Sequence, residues 1–258
     1  MQETLIVQNL VKTFELSKKQ QKIERTKLKI KVAVDGLSFT AKEGEIYGLL
    51  GPNGAGKTTT LRIISTLIKP NSGEVFVLGK SVIKEPEKVR SEIGFLTSEL
   101  KLEDFFTPNY LYDYFSDLHG VEKSVSEKRK TELFKKFGID NFAEVKIADL
   151  STGMKQKVSL VVSIVHDPKV IIFDEPTNGL DVLTAKTVTD FLIDLKNQGK
   201  TIIISTHIFS LVEKICDRVG IIINGKMIVS DELQTVTGGK SLEDVFFDIY
   251  KKEVGEDA

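Results

Sequence analysis

A single cysteine, Cys216, in 258 residues excludes any disulfide within the chain and suits a reducing compartment. Long apolar runs are also missing. The richest windows, VSLVVSIV and KVIIFDEP, fall far short of the roughly 20 residues that a membrane-spanning helix needs. The first residues, MQETLIVQNLVK, lack the basic start and apolar stretch of a secretory leader. Positive charge is not in surplus: the formal net charge is −1, which argues against a nucleic-acid partner. No internal repeat and no low-complexity tract is present. The expectation from these absences is a soluble, cytoplasmic protein that reaches a membrane only through a partner.

What the chain does contain is alternation. Short β-rich runs (EIYGLL, EVFVLG, IGFLT, KVIIFD, TIIIST, RVGIII) are separated by helical patterns, the signature of an α/β fold with a mainly parallel sheet and crossover helices. From Leu183 to Lys196, apolar residues recur at helical spacing (Ala185, Val188, Phe191, Leu192, Leu195), which predicts an amphipathic helix packed on that sheet. Two stretches break the pattern. Residues 15–31, ELSKKQQKIERTKLKIK, are strongly basic without a core-forming period and read as a solvated loop or long hairpin arm, with contact to anionic headgroups as the alternative. Residues 99 to about 148 read as a helical insertion punctuated by Pro108, Gly120 and Gly138. Beyond Asn224 a short strand precedes a helix with Leu242, Val245, Phe246 and Ile249 on its apolar face.

GPNGAGKT, residues 51–58, fits G-x-x-x-x-G-K-[ST] at every position, after an apolar strand and before a helical run, as a phosphate-binding loop requires. Gly51, Gly54 and Gly56 let the backbone wrap tightly and turn N–H groups toward phosphate oxygens, and the helix N-terminus adds a favourable dipole. Pro52, Asn53, Ala55 and Thr59 complete the cradle. Lys57 reaches the β- and γ-phosphates, and the Thr58 hydroxyl is placed to ligate Mg²⁺. VIIFDEP, residues 170–176, supplies Asp174 at the carboxyl end of a buried strand, where ligands bind in such sheets. Asp174 is a candidate to hold Mg²⁺, and Glu175 to polarise a water for attack on the γ-phosphate. These residues together predict an NTP hydrolase of the P-loop fold class, with a mainly parallel central sheet, a β-rich N-terminal part and an inserted helical subdomain.

LSTGMKQK, residues 150–157, is a second candidate anion site, a polar turn opening a basic-faced helix. The order of phosphate loop, helical insertion, LSTGMKQK, IIFDEPTNGLD and IIISTH resembles the ATP-binding cassette family, the motor subunits of ABC transporters. The resemblance runs from about Leu5 to Ile228. Within the family the chain looks most similar to sodium- and drug-efflux exporter ATPases, through LSTGMKQKVSLVVSIVHDPKVIIFDEPTNGLD and the tail phrase SLEDVF.

The resemblance implies that the signature serves another chain's nucleotide. Ser151, Gly153 and Met154, with the N–H groups that open the following helix, would close over ATP held by a second ABC ATPase subunit, identical or homologous. The signature departs from the commonest form, LSGGQ, at Thr152 and Met154. By the same resemblance Asp181 crosses the dimer interface and His207 contacts the γ-phosphate and orients the attacking water. Phe14 stands where an aromatic stacks on adenine, with core packing as its rival. Ser98 occupies the place of a usual Gln that touches Mg²⁺. His119 and His166 have no such context and read as structural or exposed.

Also implied is an integral membrane permease subunit, seated in a groove beside the insertion, with the ATPase peripheral on the cytoplasmic face of the cell membrane. Six Phe and Tyr fall within residues 105–115. Most are expected in the core, with one or two as anchors for that partner. The domain bounds are 1–98 with 155–228 for the nucleotide-binding core, 99–154 for the helical subdomain and 229–258 for the tail. The alternative function is a soluble non-transport ABC-type ATPase acting in protein or cluster assembly. Repair-type relatives are disfavoured by the lack of a long coiled-coil insertion, and a GTPase by the lack of N-K-x-D.

Overall fold

Three apolar runs set the centre of the molecule: 46–50, 170–174 and 201–206, in which every residue is buried. A strand can be apolar at consecutive positions only when both of its faces are covered, and such strands gather in a parallel sheet. The computed structural model, which describes residues 2–23, 26–97 and 102–255, shows that sheet. In chain order the elements are β1 (Glu3–Glu15), α1 (Lys18–Ile23), β2 (Ile30–Lys42), β3 (Ile46–Leu50), α2 (Lys57–Ile64), β4 (Ser72–Val77), β5 (Lys80–Ser81), α3 (Pro86–Arg90), β6 (Ile93–Leu96), α4 (Pro108–Leu118), α5 (Lys123–Phe137), α6 (Thr152–Val162), β7 (Val170–Asp174), α7 (Val182–Asn197), β8 (Thr201–Thr206), α8 (Phe209–Ile215), β9 (Arg218–Ile223), β10 (Lys226–Glu232), α9 (Leu233–Thr237) and α10 (Leu242–Val254).

The six-stranded sheet runs β10-β9-β3-β8-β7-β6. All its pairs are parallel except β10 with β9. Alternation along each strand divides the core in two. Ile46, Leu50, Ile171, Phe173, Ile202 and Ile204 face the side holding α4 to α8 and α10. Tyr47, Leu49, Val170, Ile172 and Ile203 face α2 and the second sheet. That second sheet is antiparallel, ordered β2-β1-β4-β5, and it constitutes the β-rich N-terminal part. The fold is α/β, with the expected helical insertion between β6 and β7.

The described residues of the basic stretch 15–31 belong to a hairpin arm. Pairing of β1 with β2 continues out to Glu15 opposite Ile30, and α1 lies beyond that pair. The neck is held by Leu16 N donating to Lys29 O at 2.8 Å, with the Leu16 side chain buried. Two bounds drawn from the sequence pass inside elements: 154/155 falls in α6 and 228/229 in β10. The signature helix therefore joins the helical part to the core, and the tail begins as a strand of the main sheet.

The aromatic cluster in the insertion differs from expectation. Of the six rings, only Tyr112 is fully buried, while Phe105, Tyr110 and Tyr114 are exposed and Phe106 and Phe115 half-buried. The reason is helical phase: Tyr110 and Tyr114, four residues apart on α4, share its outward face, and the half-buried Phe106 just before the helix stacks on Tyr110. Their rings stack in succession, with centroids 4.5 Å apart for Phe106–Tyr110 and 6.2 Å for Tyr110–Tyr114.

Candidate functional site

β3 ends at Leu50, and its backbone turns through residues 51–56 into α2, whose N-cap is Gly56 at φ 107°. No L side chain adopts that backbone comfortably. A Cβ on Gly56 would also meet Ala33 O at 2.3 Å, and one on Gly51 would meet Ile222 O at 2.3 Å. The loop is thus wedged between β2 and β9, and it is tied down by Gly225 N donating to Ala55 O at 3.0 Å. Its N–H groups and the start of α2 face a cleft of about 490 Å³.

Lys57 is buried, and its ammonium donates to Gly51 O at 2.6 Å and Pro52 O at 3.2 Å. Burial pulls its pKa down, opposed by the charges of Glu175 and Asp174. Asp174 is 2% exposed. Its Oδ1 accepts from Thr58 Oγ1 at 3.1 Å and from Ser205 Oγ. Glu175 follows at φ 53°, a left-handed conformation that costs a non-glycine residue about 1–2 kcal/mol. Two backbone bonds hold it there: Glu175 N donates to Ser205 O at 3.0 Å and Asn178 N to Glu175 O at 3.1 Å. The strained turn aims the carboxylate into the cleft. Its Oε1 lies 3.0 Å from His207 Nδ1 and 4.0 Å from Lys57 Nζ, while its Oε2 is buried with no hydrogen-bond partner among the described residues.

The cleft is also lined by Phe14, Leu16, Gln20, Lys31 and Ala33. Phe14 is 39% exposed, so it is a wall residue and not a core one, and the Lys12 ammonium lies 5.2 Å from its ring centroid. The structure therefore brings Phe14, most of the 51–58 loop, Thr59, Asp174, Glu175 and His207 to one cavity. Ser151, Gly153, Met154 and Asp181 do not line it. They form a separate cluster in which Ser151 and Asp181 are exposed and Gly153 and Met154 half-buried: Ser151 Oγ accepts from Met154 N at 3.2 Å at the start of α6, and a Cβ on Gly153 would sit 3.7 Å from Asp181 Oδ2. Asp181 in turn caps α7, accepting from Leu183 N and Thr184 N at 3.0 Å each. Ser98 lies outside the described residues.

Three contributors escaped the sequence reading. Ser205 clamps Asp174, and its signal was a polar residue at the carboxyl end of a buried apolar strand. Gln20, from the basic arm, reaches the cleft. The tail helix reaches the site as well: Phe246, Phe247 and Tyr250 join Phe209, Pro52 and His207 around an apolar pocket of about 250 Å³.

The donor set fits a metal–triphosphate. A Thr hydroxyl and an Asp carboxylate, 3.1 Å apart, are hard oxygen ligands of the kind Mg²⁺ takes beside phosphates. The glycine cradle leaves backbone N–H groups for the phosphates, and the unpartnered Glu175 Oε2 is free to accept from a water.

Comparison with known proteins agrees. The family model described as ABC transporter matches residues 34–178, more than half of the chain. The chain belongs to the ABC transporter family. It is 37% identical over 229 residues to the ABC transporter ATP-binding protein NatA of Bacillus subtilis, covering 88% of this chain and 93% of that protein. It is 37% identical over 198 residues to the Nod factor export ATP-binding protein I of Burkholderia orbicola, covering 77% of this chain and 65% of that one. Among solved structures, a dimeric ATP-binding cassette in a post-hydrolysis state with ADP and Pi superposes with a TM-score of 0.77 at 26% identity, covering 89% of this chain and 98% of that one. This chain is an ATP-binding ATPase of ABC transporter type. Among the described residues no helix is long and apolar enough to cross a membrane.

Proposed function

We propose that this ABC ATPase is the motor of an exporter, working as a dimer that closes around ATP and drives a separate membrane permease. The observation that carries the hydrolytic part of the reading is Glu175: a carboxylate aimed by a strained turn, bonded to His207 on one oxygen and unpartnered on the other among the described residues, beside a complete phosphate loop. In this reading the loop and Lys57 bind the β- and γ-phosphates, and Phe14 stacks on the base. Thr58 and Asp174 hold Mg²⁺, which supplies charge neutralisation at the phosphate oxygens. Glu175 takes a proton from water as that water attacks the γ-phosphorus, and the bond to the bridging oxygen breaks to leave ADP and Pi. His207 fixes the Glu175 carboxylate and holds the water in line.

Ser151, Gly153 and Met154 lie away from their own cleft, so in the proposal they complete the site of a second copy, with Asp181 at the same interface. Electrostatic donors supplied only in the closed dimer couple hydrolysis to its opening. The Phe106, Tyr110 and Tyr114 column is the proposed seat for an apolar helix of the permease. Export as the direction of transport rests on the likeness to the Nod factor export protein, and the place of action is the cytoplasmic membrane face.

Glu175→Gln keeps the shape of the site and removes the base. It should lower turnover by at least about 100-fold while leaving an ATP-dependent dimer on size-exclusion chromatography. Hydrolysis at the unmodified rate would remove Glu175 from the mechanism. Pull-down from detergent-solubilised membranes tests the permease: recovery of soluble proteins alone defeats the exporter reading.

A further inference from the structure

The basic arm has no part in the chemistry above, yet it walls the nucleotide cleft. Among the described residues the cleft is lined by 53–59, by Asp174, Glu175 and Asn178, by His207, and otherwise by Phe14, Leu16, Gln20, Lys31 and Ala33. All five of the last group come from the arm or the two strands that carry it. With triphosphate in the loop, this wall is a place for the base to rest.

Gln20 is exposed at the cleft and is tied to the start of α1. Ser17 and Gln20 form a capping box: Gln20 N donates to Ser17 Oγ at 3.3 Å, and Ser17 N donates to Gln20 Oε1 at 2.9 Å. A backbone N–H can only donate, so the side-chain atom that it meets is the carbonyl oxygen, and the amide NH₂ occupies the other branch. Among the described residues nothing accepts from that NH₂. The neighbouring Gln21 fastens the arm from the other side, its Nε2 donating to Leu16 O at 2.9 Å.

We propose that Gln20 is a base-contacting residue: its amide donates to a ring nitrogen of the purine seated on Phe14, so the arm adds base affinity to the phosphate loop. The inference rests on the nucleotide reading above. An NH₂ group reads only acceptors, and N7 and N3 of adenine are acceptors. The basic arm is thereby a nucleotide-binding device.

Gln20→Glu separates this role from the structural one. Glutamate serves as well as glutamine in a capping box, so the arm keeps its fold while the donor is lost; Gln20→Ala removes both. Isothermal titration of the full chain with ATP, and separately with inorganic tripolyphosphate, reads base and phosphate binding apart. Both variants should bind ATP about three- to tenfold more weakly, the loss of one hydrogen bond, with tripolyphosphate affinity changed less than about twofold. Wild-type ATP affinity in Gln20→Glu would leave the residue as a cap alone and overturn the proposal. Equal weakening toward ATP and tripolyphosphate would overturn it too, since the effect would not pass through the base. Unaltered ATP binding in Lys57→Ala would instead sink the nucleotide site itself.

Discussion

Removing one hydroxyl, in Ser205→Ala, separates the metal-holding geometry of this site from its fold. Ser205 is fully buried and donates to Asp174 Oδ1, which accepts otherwise from Thr58 Oγ1 at 3.1 Å. The hydroxyl also accepts from Glu175 N at 3.3 Å, a contact shared with the Ser205 carbonyl and so partly redundant. The lost interaction is therefore one charge-assisted bond to a buried carboxylate, about 1.5–3 kcal/mol. For a chain of this size each kcal/mol moves Tm by about 2–4 °C, which gives a fall of about 3–12 °C. The functional effect is of a different kind. With one of two donors gone, Asp174 is free to rotate, and loss of such an outer partner weakens metal binding about 10–100-fold. The half-saturating Mg²⁺ concentration for ATP hydrolysis should rise by that factor. Ser205→Thr keeps the hydroxyl but overpacks a buried position, at about 1–3 kcal/mol. It should lower stability while restoring the Mg²⁺ response. The reasoning is refuted by Ser205→Ala with an unshifted Mg²⁺ dependence, or by Ser205→Thr failing to restore it.

Gly56→Ala and Gly54→Ala should part company although they lie two residues apart. Gly54 at φ 81° has open space around its missing Cβ and should lose about 1–2 kcal/mol; Gly56, against Ala33 O, should lose more in urea denaturation, along with ATP binding. Phe246→Ala, at a ring 6% exposed beside Phe209 and Tyr250, should destabilise by about 3–5 kcal/mol and disturb the pocket next to His207, measured as loss of Tm and of turnover together. Stability should also fall as the pH drops from about 6.5 toward 4. Burial, and then the charge on His119 stacked 3.9 Å away, lowers the pKa of His166 to about 4, while its Nε2–H is held by Ile93 O at 3.0 Å. The unfolded chain takes up a proton near pH 6.5 that the folded one refuses until about 4, so the stabilisation present above that window is lost within it, on the order of 1–3 kcal/mol. Denaturation profiles of His166→Gln should be flatter across that range, and an unchanged slope would remove His166 as the cause.

Those parts of the site that backbone geometry dictates were legible in the sequence. The phosphate loop must have glycine where φ is positive and where carbonyls of Ala33 and Ile222 crowd in, so its chemistry is written in consecutive letters. The buried strands were legible for a similar reason, since a run such as VIIFD has no other place to go than a sheet covered on both faces. The outward aromatic face of α4 was readable too, in the four-residue spacing of Tyr110 and Tyr114, which a count of aromatics without their phase conceals. Gln20 and Ser205 depend on something else. The S-x-x-Q cap is local, yet its arrival at the cleft depends on hairpin pairing that brings Glu15 opposite Ile30. Ser205 touches Asp174 because parallel register aligns those two positions across β7 and β8, as it aligns Leu50 with Thr206 across β3 and β8. Parallel register therefore does the gathering: it brings the carboxyl ends of β3, β7 and β8 into one row, so that the loop after Leu50, the carboxylates at 174 and 175 and the histidine at 207 open onto the same cleft. Each motif can be read alone, but their partners in the row are set by strand pairing between residues as far apart in the chain as Leu50 and Thr206, which no local pattern of letters carries.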